Sequence, residues 1–304
     1  MELPKTLIII AGPTAVGKTE LCVELAKKLE TDVISADSRQ FYRELNIGTA
    51  KPTVFEMRGI NHHFVNSHSI NDYFSVGDFE RECLKTLDKI YAKKNVALIT
   101  GGSGMFIKAI TDGLDDMPDA DLELREQLMD RLKKEGLEPL QKQLQFLDPE
   151  YFNSVDIQNS QRVVRALEVC ISAGVPYSSF RINKKVERPF KTIKICLDRD
   201  RAVLYNRIDK RMDQMLANGL IDEAKYLLAF RNHNALQTVG YKEVFDFLDG
   251  NYDYDEMVRL LKRNSRRYAK RQITWFKNQD DFTWFEADKK KEIFEFIEKK
   301  LNES

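Results

Sequence analysis

Over the first hundred residues, short unbroken apolar runs alternate with amphipathic stretches. Leu7 to Ala11 (LIIIA) is an apolar run closed by Gly12 and Pro13, the pattern of a parallel strand buried on both faces. A glycine loop follows, and then a helical pattern from Lys18 to Leu29. Val33 to Ala36 predicts a second strand, and Ala97 to Thr100 a third after a helix near Val76–Lys93. Strands alternating with helices predict an α/β chain wound around a parallel sheet. The pattern changes after Leu114. Asp115 to Asn183 carries no strand signal and reads as helices over Asp121–Glu135, Leu137–Phe146 and Ser160–Ala173, with Asp119 or Asp121 as a cap for the first. The sheet resumes at Thr192–Leu197 (TIKICL). Helices are then predicted over Ala202–Asn218, Ile221–Phe230, Tyr241–Leu248 and Tyr254 to about Lys277, with Asn218-Gly219 as a stop. Phe282–Phe285 closes the pattern as a short strand. The expected organisation is a core of residues 1–114 and 188–304 around a helical insertion at 115–187.

Composition changes this picture little. The 304 residues are 42% apolar, enough for a substantial core, and 48 basic residues balance 48 acidic ones. Net charge therefore neither indicates nor excludes a nucleic-acid partner; only the local distribution can. Cys22, Cys83, Cys170 and Cys196 form no C-x-x-C pair, which argues against a zinc ribbon or a disulfide framework and fits small buried residues in a reducing cytosol. No apolar run approaches the ~20 residues that cross a bilayer. The first strand begins within a few residues of the N-terminus, which leaves no room for a signal peptide. The expected location is the cytoplasm. The charged C-terminal tail reads as a solvated helix face.

Candidate chemistry concentrates at the carboxyl ends of the predicted strands, where ligands bind in a parallel sheet. Gly12-Pro13-Thr14-Ala15-Val16-Gly17-Lys18-Thr19 matches G-x-x-x-x-G-K-[ST] between a strand and a helix. Glycines let successive N–H groups converge on phosphate oxygens, and the helix N-terminus adds partial positive charge. Lys18 neutralises phosphate charge, and the Thr19 hydroxyl can ligate Mg²⁺. The loop does not distinguish a nucleoside triphosphate from an isoprenoid diphosphate. Asp37 follows the second strand; a carboxylate there can hold Mg²⁺ through water, take a proton from a nucleophile, or simply cap a turn. Gly101-Gly102-Ser103-Gly104 follows the third strand and aims N–H groups and the Ser103 hydroxyl at the same crevice. His62 and His63 would point to opposite faces of a strand and lack a third ligand nearby, so a structural role is expected.

These motifs, in this order, resemble the bacterial tRNA dimethylallyltransferase family across nearly the whole chain. GPTAVGKT resembles its phosphate loop, and Asp37–Tyr42 (DSRQFY) its D-S-x-Q-x-Y element. Gly48-Thr49-Ala50-Lys51-Pro52 looks like a G-T-A-K-P signature that general nucleotide kinases lack. GGSGMFIKA is similar to the G-G-T-G-x-Y segment, and Gln161–Glu168 to the Q-R-x-x-R-A-L-E helix. Gly240-Tyr241-Lys242 and Ala269–Phe276 (AKRQITWF) resemble the C-terminal signatures. Three positions depart from the pattern: Ser103 replaces the usual threonine, Phe106 a common tyrosine, and Arg39 a residue that is often apolar. No C-terminal Cys/His zinc module of the kind seen in eukaryotic relatives is present.

The resemblance implies a P-loop NTPase-like parallel-sheet core with an inserted all-helical tRNA-binding subdomain. It implies transfer of a dimethylallyl group from dimethylallyl diphosphate to the exocyclic amine of the adenosine immediately 3′ of the anticodon, by a Mg²⁺-dependent monomer. Gly12 to Thr19 would hold diphosphate, Asp37 would take the amine proton, and Ser103 would orient diphosphate or base. Arg211 matches a family arginine that contacts diphosphate, with a plain surface arginine as the alternative. Ser38, Arg39, Gln40, Gln161, Arg162, Val163, Val164, Arg165, Gly240, Tyr241 and Lys242 would grip the anticodon stem-loop. Arg125 would join them or form an intrahelical ion pair. No acidic residue occurs from Val258 to Asn278, a stretch that holds Arg266, Lys270, Arg271 and five more cations. We assign this stripe to RNA phosphates and its Trp275 and Phe276 to core packing. The rivals are an ATP-dependent small-molecule kinase, a P-loop RNA-binding protein without transferase chemistry, and a transferase acting on free adenine nucleotides.

Overall fold

The computed structural model describes residues 4–182, 185–279 and 281–303. Asn183, where the strand-free stretch was expected to end, lies outside them. The chain divides into two compact units, one of residues 1–111 with 187–304 and one of residues 112–186.

In the first unit, β1 (Thr6–Ala11) leads through the glycine loop into α1 (Lys18–Lys28) and β2 (Val33–Ser35). Next come α2 (Val54–Met57), β3 (His62–His63), α3 (Val76–Tyr91), β4 (Val96–Gly101) and α4 (Gly104–Asp112). The six strands, including β5 and β6 introduced below, form one parallel sheet in the order β3-β2-β4-β1-β5-β6. β1 is buried along its whole length because β4 and β5 flank it and helices cover both faces, which is why its run is unbroken. Register aligns Ala11 with Gly101 of β4 and Cys196 of β5, so β1 and β4 release their glycine loops at the same level.

The second unit packs α5 (Leu122–Glu135), α6 (Glu138–Leu147), α7 (Pro149–Ser154) and α8 (Ser160–Ala173). Asp121, not Asp119, caps α5 by accepting from the Leu124 N–H at 2.9 Å. α7 escaped the sequence reading because six residues hold under two turns of periodicity; Asp148 caps it. Leu128, Leu140, Leu144, Tyr151, Val163, Val164 and Leu167 form the core of this unit.

The chain then returns to the first unit through β5 (Lys191–Asp198), α9 (Arg201–Ala217), α10 (Leu220–Tyr226), α11 (Tyr241–Leu248), α12 (Tyr254–Lys277), β6 (Thr283–Glu286) and α13 (Lys290–Asn302). The expected helix to Phe230 stops at Tyr226, and Leu228–Phe230 is a separate 3₁₀ turn. Among the described residues no helix is long and apolar enough to cross a membrane, and all four cysteines are buried thiols.

Candidate active site

The loop after β1 bends through left-handed backbone at Gly12 (φ 146°), Ala15 (φ 64°) and Gly17 (φ 115°). Its carbonyls are engaged by cations from outside the loop. Arg199 donates Nε–H to Val16 O at 2.8 Å, and Arg207 donates Nε–H to Ala15 O at 2.8 Å. Arg211, one turn along α9 from Arg207, donates to the Thr14 hydroxyl at 3.3 Å. With Ala15 and Val16 carbonyls drawn to arginines and Gly17 opening α1, the first-turn N–H groups of that helix are left for an anion. The Lys18 ammonium lies on the carbonyls of Gly12 and Pro13 at 2.9 and 2.8 Å. Burial pushes its pKa down to about 8; Asp37 opposes that shift and Arg211 adds to it.

Asp37 stands across the same cavity, two residues beyond β2. Burial raises its carboxyl above the ordinary aspartate range, against the Arg39 N–H (3.0 Å to Oδ1) and the Lys18 charge, which both lower it. A carboxylate whose pKa burial raises, facing cations that oppose the shift, is suited to taking a proton. The cavity is about 910 Å³ and is lined by Thr14, Lys18 and Thr19 on one side, Asp37 and Arg39 on another, and Arg207, Arg211, Tyr268 and Gln272 from α9 and α12.

The second glycine loop approaches by close packing. A Cβ at Gly101 would lie 2.1 Å from the Ala36 carbonyl, and one at Gly104 would lie 2.2 Å from the Trp275 ring. The Ser103 hydroxyl accepts from the Ser38 N–H at 3.0 Å and so ties this loop to the Asp37 segment; Ser103 itself does not line the cavity. Gln272 on α12 is buried between the loops, accepting from Thr14 N–H at 2.9 Å and donating to Gly102 O at 3.0 Å. Phe106 packs on Phe41 and Phe79, an apolar setting that suits phenylalanine.

The Gly48–Pro52 segment forms a third wall, and its anchor is Glu223 of α10. The Glu223 carboxylate accepts from the backbone N–H of Asn46, Ile47 and Gly48 at 3.1, 2.8 and 2.9 Å and from the Tyr241 hydroxyl at 2.6 Å. Gln40 donates to Thr49 O and Ala50 O, both at 3.3 Å. Lys51 donates to Tyr42 O and Asn66 Oδ1, and burial lowers its pKa to about 8.

Several expected RNA contacts sit differently. Tyr241 is fully buried against Gly48, so its side chain offers RNA no surface, and Gly240 beside it is buried too. Val163 and Val164 are core residues of the second unit, which leaves their side chains no RNA-facing surface either. In that unit Glu168, wholly buried, accepts from Arg125 Nε at 2.6 Å and from Arg165. The ion pair of Arg125 therefore spans two helices, α5 and α8, rather than one. Gln161 and Arg162 are exposed.

On α12, Arg259 pairs with Glu256, Lys262 with Asp213 and Arg266 with Asp209 at 2.6–2.7 Å, so part of the stripe is neutralised within the protein. Arg267, Lys270 and Arg271 are exposed. Arg263, Arg267 and Arg271 line a second groove of about 390 Å³ with Lys242, Glu243 and Asp246. Phe276 is fully buried and Trp275 packs on the same core. His63 pairs with Asp32 at 2.8 Å and His62 with Ile60 O, and no cluster of three metal-ligating side chains occurs among the described residues.

Sequence reasoning missed Arg199, Arg207, Glu223 and Gln272 as parts of this site. Only Arg207 carried a local signal, its i, i+4 spacing from Arg211 on one helix face. Gln272 lay within a quoted motif but gave no sign of its partners.

A parallel sheet that carries a phosphate loop at the end of its central strand, facing a half-buried carboxylate and a ring of cations, defines a P-loop NTPase-like enzyme that handles a phosphorylated substrate. A family model described as IPP transferase matches residues 40–279. The chain is 50% identical over 297 residues to the tRNA dimethylallyltransferase of Christiangramia forsetii, covering 97% of this chain and 98% of that one. It is 52% identical to the tRNA dimethylallyltransferase of Cytophaga hutchinsonii, covering 98% of each. The solved full-length tRNA isopentenylpyrophosphate transferase of Bacillus halodurans superposes with a TM-score of 0.72 at 40% identity, over 98% of this chain and 97% of that one. The chain belongs to the IPP transferase family of tRNA-modifying enzymes.

Proposed function

We propose that this transferase moves a dimethylallyl group from dimethylallyl diphosphate to the exocyclic amine of the adenosine immediately 3′ of the anticodon. The carrying observation is that one cavity sets Lys18 of the phosphate loop and Arg211 of α9 against the Asp37 carboxylate. Lys18, Arg211 and the first-turn N–H groups of α1 bind the diphosphate. As the amine nitrogen bonds to the allylic carbon, the carbon–oxygen bond to diphosphate breaks and its electron pair leaves with the diphosphate. The cations stabilise that developing charge. Asp37 accepts the amine proton. Arg39 and Tyr268, which line the cavity beside Asp37, offer a guanidinium and a ring to the base.

Thr19 and Asp37 supply a hydroxyl and a carboxylate, hard oxygen donors that with diphosphate oxygens and water suit Mg²⁺. When bound, Mg²⁺ would neutralise diphosphate charge. Exposed Arg267, Lys270 and Arg271, with Lys242, are the cations available to RNA phosphates, and Gln161 and Arg162 are exposed in the second unit. The proposed state is a monomer, and four buried free thiols fit the cytoplasm.

The test is transfer of label from dimethylallyl diphosphate to unmodified tRNA with Mg²⁺, with ATP and AMP as controls. Label on the adenosine 3′ of the anticodon without ATP is the expected result, and Asp37→Asn should lower turnover about 10²–10⁴-fold while tRNA binding persists. Prenylated AMP or consumption of ATP would reject the proposed acceptor.

A further inference from the structure

The phosphate loop and the second glycine loop come from different strands, and transfer needs them at a fixed separation. One side chain spans that gap. Gln272 accepts from the Thr14 N–H and donates to the Gly102 carbonyl, satisfying both ends of its amide. The fit is close: a Cβ at Gly102 would lie 2.1 Å from Gln272 Nε2 and 3.3 Å from the Gly12 carbonyl, so the two loop backbones nearly touch there. Beyond Gly102, Ser103 donates its N–H to Ala36 O at 3.3 Å and accepts from Ser38 N–H, and Asp37 lies between those two residues. A continuous chain of hydrogen bonds thus runs from the phosphate loop through Gln272 to the segment that bears Asp37.

We infer that Gln272 is a positioning residue that sets the distance between the diphosphate and the proton-accepting carboxylate. It touches neither reactant in this role; it fixes the two loops that hold them. Its hydrogen bond also takes the Thr14 N–H out of the set available to phosphate, which shifts the diphosphate toward the first-turn N–H groups of α1. Near-attack geometry is steep enough that a misplacement of about 1 Å costs about a hundredfold in rate. The same helix face carries Trp275 against Gly104 and Tyr268 into the cavity, so α12 seats both loops on one rigid element. The inference rests on the transferase reading above.

Two variants separate positioning from packing. Gln272→Met fills similar volume without either hydrogen bond. Gln272→Asn keeps the amide but is one carbon shorter and leaves a void. Positioning predicts single-turnover transfer rates in the order Gln, Asn, Met, with Asn down about 10-fold and Met about 100-fold. Dissociation constants for inorganic pyrophosphate and for an unmodified anticodon stem-loop should stay within about threefold of wild type. A Met variant within threefold of wild type, or faster than Asn, would overturn the inference in favour of packing. So would a loss seen only in binding constants, or failure of both variants to fold. If the wild-type chain itself transfers nothing to tRNA, the functional reading has failed instead, and the control separates the two cases.

Discussion

The two glycine loops serve one cavity by opposite physics. In residues 12–19 both glycines are left-handed: Gly17 sits at φ 115° with nothing nearer to its missing Cβ than Arg199 Nη2 at 3.6 Å, so conformation alone requires it, while Gly12 at φ 146° also has Leu197 O 2.8 Å from its missing Cβ. In residues 101–104 the backbone is not left-handed, and glycine is needed for proximity: Gly101, Gly102 and Gly104 each lie where a methyl group would overlap Ala36, Gln272 or Trp275. The first loop makes donors converge on an anion. The second lets a strand end, a helix and a neighbouring loop close around the same cavity. A glycine in a sequence announces neither role by itself; the strand–loop–helix context reveals the first, and only the partners reveal the second.

The contrast can be broken most sharply at Gly101. Gly101→Ala drives a Cβ against the Ala36 backbone carbonyl, which cannot rotate away, and should destabilise the protein by about 3 kcal/mol. A denaturation midpoint equal to wild type would show that β2 and β4 can slide apart there. Gly104→Ala meets a side chain instead and should cost about 2 kcal/mol. Shrinking the ring with Trp275→Leu should recover part of that, giving a coupling of about 1 kcal/mol in a double-mutant cycle. Strict additivity would mean the clash is relieved elsewhere.

Gly17→Ala meets only Arg199 Nη2 at ordinary van der Waals distance, so its cost should be that of left-handed backbone alone, about 1–2 kcal/mol. It should weaken pyrophosphate binding even where the protein stays folded. Unchanged stability and binding together would remove the conformational role.

The smallest effect is electrostatic and belongs to the first loop only, since the second contains no titratable group. Lys18 has its pKa lowered to about 8, so the free protein loses the ammonium as pH rises through 8, while bound diphosphate favours the charged form. Affinity for pyrophosphate should therefore fall about tenfold between pH 7 and 9. Lys18→Arg stays charged across that range and should lack this component. Parallel pH profiles for the two proteins would place Lys18 outside diphosphate binding.

Most strands and long helices were legible, because the apolar run of β1 and the 3.6-residue rhythm of α3, α8 and α12 record burial in consecutive residues. The short α7 and the break between Tyr226 and Leu228 were not, because fewer than two turns carry no measurable period. The phosphate loop, Asp37 and Arg211 were found as motif positions and share one cavity. The basic stripe was legible as composition, but the pairing of Arg259, Lys262 and Arg266 with Glu256, Asp213 and Asp209 was not. Only α12's docking against α9 decides which of those last two acids a cation meets.

The sequence by itself determined the parallel-sheet class, the strand-loop-helix that cradles phosphate, and the placement of Asp37 at a strand end. Each of these depends on torsions and burial encoded by neighbours along the chain. Tertiary structure decided that Gln272 joins Thr14 to Gly102, across 258 and 170 residues, and that Glu223 fills the N–H nest of residues 46–48. A buried polar group must find a partner, but which partner it finds is set by the register and packing of elements far apart in the chain, and no local pattern records that.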